Sequence, residues 1–546
     1  MGISEDEYDR LKTKRKKTAY EIASPEIQKK IKLKGMTSKC ITDSNTPLRE
    51  VQIKTVEYFN DVDSLLVIHG TGMGKTLTAL TCAQCFISQN SKHRVIVVTA
   101  ASLVDNFKSA FDQYGNINSS KYDIYNFDQF MNSYKKFNKH LKELGTSKFK
   151  CGDDNALLIV DEVHLLKNYA GIKFESVMEC AKHCKKVLLL TATPYVNNVC
   201  DFISAVNLLH RNYVLAPPKR VVKTNAPMIF QSRDTAKIPG CNLSISKITE
   251  GQAQGQMNII AQFLKGKVSY SEKPEGGDYP AVKIHREIIP MSPIYEKAFL
   301  KAVGDESDIF GNPEAFYNGY RRAVNNIGAK NMYNDKLAFV DKILKAGSTG
   351  NVIFSNWLDF GVDVITDFLY KKGLSFSVIS GKTRISDRKI YVESYNRGEI
   401  STLVISTAGA TGLDLRGTQN LIVIDPVWNA AMLDQIIGRG VRYKSHSHLP
   451  KKLQTVHVYL LILVEKDVAS GNKIVSKSGD YLLYKIIDKK KKFNTIIENT
   501  LKKISVVDNT DSGRVFIPKK VSPKKGSPVK IKATKRSVYG PFKAIE

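Results

Sequence analysis

No apolar run in this chain approaches the roughly 20 residues that a helical bilayer span needs. The longest, VHVYLLILV at 456–464, has the length and β-branched content of a buried strand. The first residues carry no charged-then-apolar leader. Met1-Gly2 is followed by Asp6 where a myristoylation signal needs Ser or Thr, so no membrane partner is expected. Metal-ligand patterns are also missing. Cys82 and Cys85 form a CxxC with no second pair, and Cys180, His183 and Cys184 share a helical face without neighbours in sequence. The eight cysteines therefore read as reduced core thiols rather than zinc ligands or disulfides. That usage implies a cytoplasmic or nuclear compartment, or a virion interior.

Acidic charge is scarce. Lys and Arg number 82 against 53 Asp and Glu, for a net charge of +29. Residues 10–34 hold ten basic side chains against Glu21 and Glu26, and residues 514–546 hold ten against Glu546. These two stretches account for +8 and +9, so +12 remains on the rest of the chain. Charge of one sign on this scale marks a polyanion partner, and nucleic acid is the polyanion expected.

The remaining composition is that of a folded α/β chain, and its pattern divides the sequence. A basic N-terminal extension covers 1–44. From 45 to 212 short β-branched runs alternate with helical stretches: LLVIH at 65–69, RVIVVT at 94–99, ALLIV at 156–160 and KVLLLT at 186–191. An irregular segment at 213–335 reads as an insertion between domains. The alternation returns over 336–465 with NVIFS at 351–355, FSVIS at 376–380, TLVIST at 402–407 and NLIVID at 420–425. Such alternation implies parallel sheets with helices on both faces, here used twice. A helical segment follows at 466–507, and the Lys-, Pro- and Ser-rich tail at 508–546 is expected to be disordered.

HGTGMGKT at 69–76 sits between an apolar strand and a helix. Gly70, Gly72 and Gly74 would let backbone N–H groups turn towards a polyphosphate, with His69, Thr71 and Met73 completing the loop. Lys75 would pair with β and γ oxygens, and Thr76 would ligate Mg2+. LLIVDEVH at 157–164 ends a buried strand with two carboxylates: Asp161 suits the metal, and Glu162 suits the attacking water. Thr191 and Thr193 of LLLTATP offer hydroxyls that could link this acidic pair to a second domain. QIIGRGVR at 435–442 places Arg439 and Arg442 three apart, on one face of an expected helix. Guanidinium groups suit the spread charge of a phosphoryl transition state.

The ordered set HGTGMGKT, DEVH, TAT, STAGATGLD and QIIGRGVR resembles superfamily 2 helicases over more than half of the chain. The resemblance implies two RecA-like P-loop domains, ATP and Mg2+ as cofactors, and nucleic acid as partner. It also implies roles for single residues. Gln52 in LREVQ would read the adenine. Gly412 and Asp414 would approach the nucleotide from the second domain, and Gln435 would couple the domains. Ser102, Asn106, Ser406 and Thr407 would touch the nucleic-acid backbone, and Arg442 would be the arginine finger. IDPVWNAAMLDQIIGRGVRYKSHSHLP at 424–450 looks like the Snf2-like branch. It resembles the transcription-associated ATPases of poxviruses and other large DNA viruses, including nucleoside triphosphate phosphohydrolase I and the early transcription factor small subunit. Within that branch, DNA is the expected track, with RNA the alternative, and an RNA polymerase or transcription-factor subunit the expected protein partner.

Three readings stay open on sequence alone. One is a DNA translocase serving transcription, one a strand-separating DNA or RNA helicase, and one a non-catalytic scaffold. Trp357, just past NVIFS, is expected to pack between domains rather than stack on a base.

Overall fold

The computed structural model describes residues 39–115, 117–144, 151–193, 199–216, 235–241, 248–272, 279–303, 321–327, 333–347, 349–410, 413–427, 430–442, 444–472 and 476–507. The basic N-terminal stretch to 38, the tail from 508, and Gly412 lie outside the described residues. Fourteen strands are described. Those of the first half are β1 (Ser64–His69), β2 (Arg94–Thr99), β3 (Tyr122–Asn126), β4 (Ala156–Asp161), β5 (Lys186–Thr191), β6 (Leu215–Ala216), β7 (Ala236–Lys237) and β8 (Val268–Ser271). The second half holds β9 (Ala281–Pro290), β10 (Asn351–Ser355), β11 (Ser377–Ile379), β12 (Thr402–Ser406), β13 (Asn420–Val423) and β14 (Thr455–Val464).

Two six-stranded sheets organise the molecule, ordered β3-β2-β4-β5-β1-β8 and β11-β12-β10-β13-β14-β9, while β6 and β7 form a small separate ribbon. Every pairing is parallel. Parallel sheets bury both faces under crossover helices, which is why β1, β4 and β5 are buried at all six positions instead of alternating. The chain is thus two RecA-like α/β lobes.

The segment at 213–335 does more than separate the lobes. It supplies β8 to the edge of the first sheet and β9 to the edge of the second, so the chain crosses between lobes over 272–280. A second connection is the helix Gly479–Ile504. Its first half packs Tyr481, Leu483, Tyr484 and Ile487 into the second lobe's core. Its second half packs Phe493, Ile497 and Leu501 into the first lobe's core. Just beyond it, Val506 N–H donates to Val268 O of β8 at 2.8 Å.

The cysteine expectation is overturned for six residues. Cys40–Cys85, Cys151–Cys180 and Cys200–Cys241 are disulfide-bonded, and Cys82 and Cys184 remain buried thiols. Their sequence separations of 45, 29 and 41 leave no local pattern to read, and all three bonds lie in the first lobe. Among the described residues, no helix is long and apolar enough to cross a membrane.

Candidate active site between the two lobes

The loop after β1 turns into the helix Lys75–Gln89. Gly72 and Gly74 adopt φ of 75° and 77°, a left-handed backbone that favours glycine; Gly70 does not need it. Gly70 N–H donates to Ser271 O of β8, Met73 is buried beneath the loop, and Thr71 faces the second lobe. Lys75 Nζ folds back over the loop to donate to His69 O at 3.1 Å and Gly70 O at 3.5 Å. Burial lowers its pKa, against the pull of Glu162 and Asp161. Thr76 sits in the first turn of the helix. The His69 ring is fully buried, with Nε2 2.9 Å from Ser269 Oγ. Burial and the neighbouring Lys75 push its pKa down to about 3, so the imidazole is neutral.

Asp161 closes β4, with Oδ2 accepting from Thr99 Oγ1 and Oδ1 from Glu162 N–H. Burial and the adjacent Glu162 carboxylate raise its pKa to about 7. Glu162 itself has φ 54°, a strained conformation for a side-chain-bearing residue and one that clusters at active sites. Burial opposes its ionisation, but His164, Lys75 and Arg439 outweigh that and hold its pKa down to about 2. The His164 ring joins two groups: Nδ1 is 3.2 Å from Glu162 Oε2 and 3.1 Å from Thr191 Oγ1.

That contact begins a path to the other lobe. Thr191 Oγ1 accepts from Thr193 N–H at 3.0 Å, and Thr193 Oγ1 accepts from Gln435 Nε2 at 3.1 Å. Gln435 lies on the helix Ala430–Gly440, which ends two residues before Arg442. The expected shared helix face for the two arginines is therefore corrected: Arg439 is helical and Arg442 lies beyond the helix end. Both still face the phosphate loop. A β-carbon on Gly72 would lie 3.7 Å from Arg442 Cγ, and one on Gly438 would lie 2.6 Å from Thr71 Oγ1. Arg442 is held by Leu413 O at 2.6 Å and by Asp414 at 3.3 Å. Arg439 Nε is buried without a hydrogen-bond partner. Burial and Arg442 lower its pKa to about 10, while Glu162 and Asp414 pull the other way.

The other expected positions divide. Gln52 is buried, donating from Nε2 to Gly74 O and Thr78 Oγ1 and accepting Arg49 N–H at Oε1. It braces the phosphate loop, with its amide already engaged. Ser102 and Asn106 are exposed on the first lobe. Thr407 is exposed and donates to Asn356 Oδ1, whereas Ser406 is buried with its hydroxyl accepting Gly409 N–H. Trp357 follows β10 of the second lobe, at the cap of the turn Leu358–Val362. Arg321 and Arg322 of its own lobe lie over its ring.

Several site residues escaped the sequence reading. Tyr279, in the crossover between lobes, donates to Gly72 O at 3.2 Å and accepts from Arg49, whose guanidinium lies over its ring. His164 ends the DEVH motif but has no role assigned there, whereas Ser269 and Tyr279 have no motif around them. Their only signal is spatial, through the edge strand β8 and the crossover.

Two family models match the chain. Residues 335–444 match the helicase conserved C-terminal domain and residues 27–196 the type III restriction enzyme, res subunit, together about half of the sequence. A protein of Acanthamoeba polyphaga mimivirus named as an ATP-dependent RNA helicase is 28% identical over 437 residues, covering 76% of this chain and 89% of its own. Nucleoside triphosphatase I of Choristoneura biennis entomopoxvirus is 24% identical, covering 86% of this chain and 82% of its own. The SWI2/SNF2 ATPase core of Sulfolobus solfataricus, solved with double-stranded DNA, aligns over 85% of this chain at 16% identity and a TM-score of 0.33, too low to carry an argument.

Proposed function

From a chain that is a superfamily 2 helicase-type enzyme, hydrolysing ATP in dependence on nucleic acid, we propose that the lobes step along duplex DNA in the service of transcription. The observation that carries the two-lobe motor is the meeting of Lys75, Glu162 and Arg439 in one cleft made by both lobes. A triphosphate held by the first lobe alone would lack the guanidinium groups, so turnover requires closure.

The residues fit ATP with Mg2+. Asp161 is a buried carboxylate with the partly buried Glu162 beside it, and Thr76 adds a hydroxyl from the helix start. Among the described residues no three His, Cys, Asp or Glu side chains form a metal-holding group, so the cation would take its other ligands from phosphate and water. Thr76 and Asp161 would hold it, and it would neutralise charge on the β and γ oxygens. Lys75 leaves the His69 and Gly70 carbonyls for the phosphates. Glu162, kept ionised, orients the attacking water and receives its proton. Arg439, with no protein hydrogen bond at Nε, stabilises the charge of the transferring phosphoryl group. Arg442 is fixed beside it by Leu413 O and Asp414. The path Glu162–His164–Thr191–Thr193–Gln435 would report the state of the site to the second lobe.

The DNA preference, the link to transcription and an RNA polymerase partner rest on the Snf2-like resemblance of residues 424–450. The mimivirus relative's name makes RNA the arm to compare. Steady-state ATP turnover with single-stranded DNA, duplex DNA and RNA at one stated salt concentration tests the reading. Duplex DNA should stimulate most, and Glu162→Gln should lower turnover at least roughly 100-fold. Negligible turnover in the wild type, with function kept in Glu162→Gln, would leave a binding scaffold in place of an enzyme. Triplex displacement without fork unwinding would separate translocation from strand separation.

A further inference from the structure

We propose that Arg322 is a nucleic-acid phosphate contact of the second lobe, its guanidinium held in place by the rings of Trp357 and Phe360. This rests on the reading above that the chain moves on nucleic acid. It adds a residue that none of the motifs contains, supplied by the segment at 213–335.

The Arg322 guanidinium carbon lies 5.0 Å from the Trp357 ring centre and 5.2 Å from that of Phe360. Arg322 is exposed, and among the described residues no carboxylate pairs with it. A long cation fixed on two aromatic rings loses little further rotamer freedom when it binds, which is what a recognition arginine needs. The rings are themselves fixed. Trp357 caps and Phe360 lies within Leu358–Val362, a π-helical turn of the kind found at functional sites. A β-carbon on Gly361 would lie 1.9 Å from Ser355 Oγ, so this turn is pressed against the end of β10.

Beneath the same indole sits Arg321, buried, its guanidinium carbon also 5.0 Å from the ring centre and its Nη2 donating to Pro426 O. The two guanidinium groups therefore stand within about 10 Å of each other, near one Debye length at about 0.1 M salt. Burial lowers the pKa of Arg321, and Asp425 on the inner side opposes that in part. Its carboxylate is taken by Ser355 Oγ, Asn356 N–H and Asn325 Nδ2. The outer charge is left for an anion from solvent.

The position names the anion. Asn356, adjacent to Trp357, accepts from Thr407 Oγ1, the exposed hydroxyl expected to touch the nucleic-acid backbone. Asn356 and Thr407 thus meet where β10 and β12 end side by side, one residue before the Trp357 whose ring Arg322 covers. With guanidinium groups over the indole, the group offered outward is the arginine fork. Phosphate is favoured over a stacked base.

The test is equilibrium binding of the full chain to a fluorescent duplex of mixed sequence, titrated with salt, alongside an oligo-dT strand. Arg322→Ala should weaken duplex binding roughly three- to ten-fold at about 0.1 M salt and lower the log–log salt slope by about 1. Arg322→Lys should keep the slope. Thermal melting controls for folding, and an unchanged midpoint is expected at this exposed position. An unchanged slope in a folded Arg322→Ala protein overturns the proposal. So does loss of oligo-dT binding in Trp357→Leu with no change for Arg322→Ala, which would mean base stacking. A wild-type chain that binds neither duplex nor oligo-dT would instead fail the parent reading.

Discussion

Gly438 faces Thr71 so closely that a β-carbon there would meet the Thr71 hydroxyl oxygen at 2.6 Å and its Cβ at 2.8 Å. Neither contact can be relieved by the tip of a flexible side chain, so alanine must push the arginine-bearing helix away from the phosphate loop. Gly438→Ala should therefore lower ATP turnover roughly 10- to 100-fold, the cost of about an ångström of misplacement. ATP affinity, set by the first lobe, should change little. Turnover at the wild-type rate would show that the lobes close differently. His69 makes a second prediction at this scale. An ordinary histidine pKa near 6.5 falls to about 3 on folding, so the unfolded chain binds the extra proton as pH drops. Stability is then full above about pH 6.5 and is lost progressively towards pH 3. Between pH 7 and 5 the loss should approach about 2 kcal/mol. Urea unfolding of His69→Gln, which can still reach Ser269, should lack that component.

Among the elements, the first lobe holds all three disulfides, closing separations of 45, 29 and 41 residues. In the chain-entropy picture each loop of that size stabilises the folded state by about 3–4 kcal/mol. Differential scanning calorimetry with and without reductant should show the first lobe's transition move down while the second lobe's stays. Movement of both together would mean that the helix Gly479–Ile504 welds them into one cooperative unit. These bonds were illegible in the sequence because a partner 45 residues away leaves no periodicity. The strands show the converse. RVIVVT, KVLLLT and NVIFS match β2, β5 and β10 end to end, because a strand covered on both faces must be apolar throughout. β8, only VSYS, and β9, where apolar and charged residues are interspersed on a partly exposed edge, lack that signature and were lost in the supposed insertion. Motif residues were readable because loop chemistry fixes their spacing. Ser269 and Tyr279 serve the same loop from strands and crossovers that have no such spacing.

For the molecule as a whole, two covalent routes join the lobes: the crossover at 272–280 and the helix Gly479–Ile504. Tyr279 of the crossover itself reaches Gly72 O of the phosphate loop, and closure over ATP depends further on contacts made across the cleft. Gln435 Nε2 to Thr193 Oγ1 is the hydrogen bond that completes the path from Glu162. A neutral hydrogen bond of this kind contributes about 0.5–1.5 kcal/mol, which is roughly a two- to twelve-fold bias towards the closed state. Gln435→Ala removes the donor without touching any group that binds phosphate. Nucleic-acid stimulation of ATP turnover should accordingly fall by about that factor. Affinity for ATP in the absence of nucleic acid should hold, since Lys75 and its loop belong to the first lobe. A donor–acceptor dye pair placed on exposed Ser102 and Lys444, one on each lobe, gives the independent readout. With ATP and duplex DNA the closed, high-transfer population should shrink in the variant. If the population is unchanged while stimulation still falls, Gln435 acts on the chemistry through Thr193 and not on closure. If both are unchanged, the path carries no coupling, and the arginines alone report across the cleft.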